Sequence, residues 1–347
     1  MKVIVATSFV PFVEGGASRI VHWLASALRD HGHEVDLLEL PLSPDYKEML
    51  EQMLAFRLLD VTHTGDCLIA LRPPSYLLRH PRKIVWFIHH YRGAYDLWGT
   101  RYQAIPSTPE GVRYREAIMQ ADTLGLSEAA KVYCNSRLMA ERLRKFNNIR
   151  AHVLYPPVYL PERYRCGAFG DYFVYVARLT HHKRQWLAIE AMRHTRSAVR
   201  LVIAGAPDPD ASGYVLELQS LIERYRLGGR VVLLDHWIAE EDKIALLADC
   251  LGALYLGFDE DSYGYASLEA QHAGKPVLST TDSGATGELI LDGLNGRLVP
   301  PDPEAIAQVM DELYWDRSQA QLMGKAGRTR IAELGISWDR VVGELLG

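Results

Sequence analysis

Short apolar runs, each ending in a polar or glycine-rich turn and most followed by a segment with helical spacing, recur along the chain. Residues 2–7, 34–40, 67–71, 84–88, 131–134 and 151–154 read as strands in the first half, and 172–176, 199–204, 231–234, 253–256 and 277–280 in the second. Between the first two, Ile20, Leu24, Ala27 and Leu28 recur at helical spacing and put an amphipathic helix over residues 17–31. Strands alternating with helices join as right-handed βαβ units, so each half is expected to be α/β with a parallel sheet. The alternation stops once. Tyr155-Pro156-Pro157-Val158 breaks the period and no element is evident before Tyr172, which is where a linker between two domains belongs. The expected division is 1–158, 159–330 and a terminal helix within 331–347.

Length and composition agree with that division. The 347 residues suffice for two cores, and 48% hydrophobic with 23% charged residues is ordinary for a globular chain. A net charge of −5 argues against nucleic acid as a partner. No apolar run approaches the roughly 20 residues of a membrane-spanning helix. Lys2 followed by the apolar run 3–13 imitates a signal peptide, but the run is β-branched and leads into Glu14-Gly15-Gly16, so a first buried strand explains it better. Cys67, Cys134, Cys166 and Cys250 are scattered without metal-ligand or disulfide spacing, which suits a reducing cytoplasm.

The stretch from Gly257 to Gly296 carries the chemistry. The buried run 253–256 feeds Asp259-Glu260-Asp261-Ser262-Tyr263-Gly264, and helical spacing follows through Tyr265, Ala266, Leu268, Glu269 and Ala270. A strand feeding a helix presents unpaired N–H groups and the positive end of the helix dipole, which attract a phosphate. Asp261 and Glu269 flank this turn. As acceptor-only carboxylates they repel phosphate and suit the hydroxyls of a ribose and a sugar. The stretch reads as a nucleotide-sugar cradle.

Asp261 to Glu269, followed by Ala270, Gly274, Lys275, Pro276 and Val277, resembles the glutamate-x7-glutamate signature of family 4 glycosyltransferases, with Asp261 where the family usually has the first glutamate. Arg178-Leu179-Thr180-His181-His182-Lys183-Arg184 resembles the family's Gly-Arg-x4-Lys-Gly phosphate motif, with both cations present and Ala177 and Arg184 in the glycine places. The resemblance covers nearly the whole chain, strongly in the second half. It implies the GT-B architecture, two Rossmann-like domains whose parallel sheets face a central cleft, with the last helix crossing back to the first domain. It also implies transfer of a sugar from a nucleoside diphosphate to an acceptor hydroxyl with retention of anomeric configuration.

By that resemblance Arg178 and Lys183 hold the departing diphosphate, a role suited to a planar fork and a compact point charge. Ser262, Tyr263, Gly264, Tyr265 and Ala266 line the donor site, Glu269 holds ribose and Asp261 the sugar. Gly15 and Gly16 match the family's glycine-rich loop facing the diphosphate, and His89 of His89-His90 stands beside the donor sugar, with His90 in the place of an aspartate. Gly205 and the turn His236-Trp237-Ile238 are candidates for holding the base; Trp237 offers a stacking face or a buried anchor, and packing is the expectation.

The donor is expected to be a UDP- or GDP-sugar ahead of an ADP-sugar, with no cofactor, and the acceptor a glycan, a lipid-linked or a small molecule. No Asp-x-Asp metal motif stands in the expected context, so no metal is expected. Residues 95–109 are expected to form a mobile acceptor-side loop. Arg137, Arg142, Arg144 and Lys145 on the helix over 137–146 would suit a peripheral contact at the inner membrane face, although a solvated basic face is the plainer expectation. Two other readings stay open: a nucleotide-sugar epimerase of the same fold, and a non-catalytic nucleotide-sugar-binding subunit.

Overall fold

The computed structural model describes residues 1–11, 16–43, 45–208 and 212–347, and for 16–18 and 212 the backbone alone. The chain divides into two compact units, Met1–Tyr159 with Ser337–Gly347, and Leu160–Ile336.

The first unit runs β1 (Lys2–Phe9), α1 (Gly16–Asp30), β2 (Glu34–Pro41), α2 (Met49–Leu58), β3 (Cys67–Ala70), β4 (Lys83–Phe87), α3 (Pro109–Ser127), β5 (Lys131–Cys134), α4 (Arg137–Asn147) and β6 (His152–Val153). All pairings are parallel, in the order β2-β1-β3-β4-β5-β6. The interior residues of β1 are buried on both faces, as a central parallel strand requires. Ser136 caps α4 by accepting from the N–H of Met139, as the Asn-Ser pair suggests. Helix α3 runs on through Asp122, which is buried and accepts the hydroxyls of Tyr76 at 2.6 Å and Tyr95 at 2.7 Å. The segment 95–109, expected as a mobile loop, instead packs Tyr95, Leu97 and Ile105 inside. Arg142 departs from the expected basic face in the same way: it is buried, 3.7 Å from Asp96.

The second unit runs β7 (Tyr172–Val176), α5 (Gln185–His194), β8 (Arg200–Ala204), α6 (Ser212–Arg224), β9 (Val231–Leu234), α7 (Glu240–Asp249), β10 (Gly252–Tyr255), α8 (Tyr265–His272), β11 (Val277–Thr280), α9 (Thr286–Leu289), β12 (Gly296–Val299), α10 (Pro303–Trp315) and α11 (Arg317–Glu333). Its sheet is parallel in the order β12-β11-β10-β7-β8-β9. From β7 the chain winds outward to β9, returns to the centre at β10 and winds outward the other way. The direction therefore reverses between β7 and β10, and loops leaving their carboxyl ends splay apart to leave a crevice.

The last helix, α12 (Trp338–Leu346), belongs to the first unit. Its Trp338 indole donates to the carbonyl of Val158 at 2.9 Å, and Tyr133 donates its hydroxyl to the carbonyl of Glu344 at 2.7 Å. No helix among the described residues is long and apolar enough to cross a membrane.

Candidate active site

The switch point of the second unit gathers most of the residues the sequence singles out. After β7 the chain passes Arg178 and a short turn over His181–Lys183 before α5 begins. Gly205 follows β8 so closely that a Cβ there would collide with the carbonyl of Ala177. Glycine at 205 is thus a close-approach residue between two strand ends. Arg178 leaves this junction half-buried, its Nη1 3.0 Å from Asp208.

Arg184 holds one of the motif's glycine places at φ +54°, the left-handed region that glycine enters at little cost. Its side chain supplies the compensation. The buried guanidinium donates to the carbonyl of Leu256 at 2.6 Å, to Thr280 Oγ1 at 2.8 Å, and to both carboxylate oxygens of Asp282 at 2.8 Å. Arginine here ties the turn after β7 to the ends of β10 and β11.

Lys183, one position earlier, is turned to the cradle. Its Nζ lies 2.6 Å from Glu260 and 3.3 Å from the hydroxyl of Tyr255, which itself donates to Glu260 at 3.0 Å. Asp261, beside Glu260, is largely buried. Helix α8 then starts from Gly264 at φ +74°, where a Cβ would run into the Tyr255 ring. Ser262 accepts from the N–H of Gly264 at 3.3 Å, Tyr263 is packed beneath the turn, and Tyr265 and Ala266 supply the leading N–H groups of the helix. Two cations after β7 thus share the switch point with a helix N-terminus after β10, an arrangement that favours an anion with several oxygens.

Glu269, one turn into α8, is buried and 2.5 Å from Lys243 of α7. Burial pushes its carboxyl upward and the Lys243 charge opposes that shift. At the end of β9, His236 is exposed and Ile238 half-buried. Trp237 is 43% exposed, so the expected packing role is corrected: its ring is on the surface side of this turn and not a core anchor.

In the first unit, Gly15 lies outside the described residues and Gly16 opens α1. His89 and His90 follow β4 and have different surroundings. His90 is buried, stacks on Tyr95 at 3.9 Å between centroids, and places Nε2 2.9 Å from Asn147 Oδ1. Half-buried His89 has Nδ1 2.7 Å from the carbonyl of His90, so that nitrogen donates and Nε2 is left as the acceptor. Desolvation, helped by Arg72 and Arg92, pushes His89 down to about 3, and burial pushes His90 down to about 4. Both rings are neutral near pH 7. Tyr255, Glu260, Lys243 and Tyr164 were missed from the sequence; only Glu260, flanked by two aspartates, carried a local signal.

A doubly wound unit with cations and a helix N-terminus at its switch point, preceded in the chain by an α/β unit of the same type, is the arrangement of the GT-B fold. Residues 170–330 match the model of the family glycosyl transferases group 1. The chain is similar to the mouse alpha-1,3/1,6-mannosyltransferase ALG2, 27% identical over 75% of this chain and 66% of that protein. It spans 32–66% of the length of the curated relatives it matches. Among solved structures, sucrose-phosphate synthase from Thermosynechococcus elongatus superposes with a TM-score of 0.77 at 18% identity, covering 99% of this chain and 97% of that one. The Anabaena protein HepE, solved in complex with UDP-glucose, gives 0.74 at 17% identity over 99% and 98%. At these identities the two structures speak for the fold.

Proposed function

We propose that the protein is a retaining glycosyltransferase that moves a hexosyl group from a UDP- or GDP-sugar to an acceptor hydroxyl of a glycan, a lipid-linked or a small molecule. The observation that carries the reading is the pairing of Arg178 and Lys183 after β7 with the N-terminus of α8 after β10, at the switch point of a glycosyl transferases group 1 domain. The mannosyltransferase relative supports transfer of a hexosyl group, and the UDP-glucose complex of HepE supports a nucleotide-sugar donor.

In the reaction, the bond between the anomeric carbon and the diphosphate oxygen breaks while the acceptor oxygen bonds to that carbon on the same face. The acceptor proton passes to the departing diphosphate. Arg178, Lys183 and the leading amides of α8 stabilise the charge that builds on the leaving group. Asp261 takes the sugar hydroxyls, Glu269 the ribose, and Trp237 with His236 and Ile238 the base. His89, in the first unit, presents Nε2 as a neutral acceptor. A cytoplasmic location is part of the same proposal.

The test is release of nucleoside diphosphate from a panel of UDP- and GDP-sugars, with the anomeric configuration of the product read by NMR. Release by the wild type, lost in Arg178→Ala and Lys183→Ala, is expected. Release from no donor, or an epimerised donor formed without any transfer, contradicts the reading.

A further inference from the structure

Glu269 is one member of a buried cluster. Lys243, 6% exposed, stands 2.5 Å from its Oε1 and 3.0 Å from Glu240 of the same α7. Tyr164, from the segment before β7, donates to Glu240 at 2.8 Å, and its ring lies 5.9 Å below the Lys243 ammonium. Lysine inside a helix packed on a domain core is costly unless a carboxylate answers it. Here one side chain from α7 reaches across to the carboxylate that the cradle uses.

We infer that Lys243 is a positioning residue for the donor site, fixing the Glu269 carboxylate in the orientation and acceptor form that takes the ribose hydroxyls. This rests on the nucleotide-sugar reading above. An ionised carboxylate accepts from both hydroxyls of a ribose, whereas a neutral carboxyl spends one oxygen as a donor. The groups acting on Glu269 are Lys243 and Glu240 of α7 and Tyr164, with Tyr265 on its own helix. Arg328 of α11 acts at His272, the far end of α8. Among the described residues, Lys243 is the cation that acts on the carboxyl. Without it, burial drives Glu269 toward the neutral form, and the acceptor returns only as pH rises.

The experiment titrates UDP, GDP and their 2′- and 3′-deoxy forms into the wild type, Lys243→Met and Lys243→Arg between about pH 6 and about pH 8. The wild type is expected to lose about tenfold in affinity on removal of a ribose hydroxyl, with little pH dependence. Lys243→Met should bind the ribose forms about tenfold more weakly at the acid end, discriminate poorly against the deoxy forms, and recover as pH rises. Lys243→Arg should keep the wild-type pattern. Because Lys243→Met strands a buried carboxyl, Lys243→Met/Glu269→Gln supplies a second arm: it should bind no more weakly than Glu269→Gln alone. Wild-type discrimination and a flat pH profile in Lys243→Met, or additive losses in the double variant, overturn the inference. A wild type that binds no nucleoside diphosphate overturns the nucleotide-sugar reading instead.

Discussion

Lys183 and Glu260 form an ion pair of 2.6 Å that joins the turn after β7 to the turn after β10, with the Tyr255 hydroxyl bonded to the same carboxylate oxygen. Glu260 therefore occupies the ammonium that the diphosphate is proposed to use. Glu260→Gln keeps the shape and removes the competing charge. Nucleoside diphosphate affinity should rise several-fold in calorimetric titration, while folded stability falls by about 1–3 kcal/mol in urea unfolding as a partly buried cation loses its partner. Unchanged or weaker binding contradicts the competition.

Arg184→Gly pits two terms against each other. Relief of a positive φ is worth about 1 kcal/mol, whereas removing one partner of a buried, bidentate pair with Asp282 costs about 3–5 kcal/mol. The variant should lose about 2–4 kcal/mol in chemical denaturation, although glycine is the residue the motif ordinarily carries.

The strands and their order of appearance were legible because short apolar runs bounded by turns leave a clear pattern: 172–176, 231–234 and 277–280 coincide with β7, β9 and β11. The polar joints were not. Asp122 inside α3 is one: a buried acid looks like a helix end until its two tyrosine partners, 46 and 27 positions away, are in place. Arg184 was visible as a departure from glycine, but its compensation by Asp282 and Thr280 depends on contacts about a hundred positions distant. Lys243 escaped notice because nothing in the local sequence separates it from a solvated helix lysine, and Trp237 misled because large aromatics are usually buried.

Stability should depend on pH through His90, buried and held near 4 against an unfolded value near 6.5. The unfolded chain binds the extra proton between those values, so the neutral ring's contribution is complete above about pH 6.5 and is lost as pH falls toward 4. The loss amounts to about 3 kcal/mol. Comparing urea midpoints of wild type and His90→Gln across this window should show a shallower slope for the variant.

Two side-chain cations at the leaving-group position predict transfer that needs no divalent metal. Donor turnover after exhaustive chelation should match the untreated rate, and added magnesium should leave it unchanged. Loss on chelation with recovery on magnesium contradicts this.

The most direct measurement is calorimetric titration of UDP and GDP into the wild type and into Arg178→Ala/Lys183→Ala. The account predicts that at least one nucleotide binds the wild type, and that the double variant, still folded, binds it at least about a hundredfold more weakly, as loss of two charge-assisted contacts requires. Equal affinity in the two proteins, or binding by neither, would contradict it.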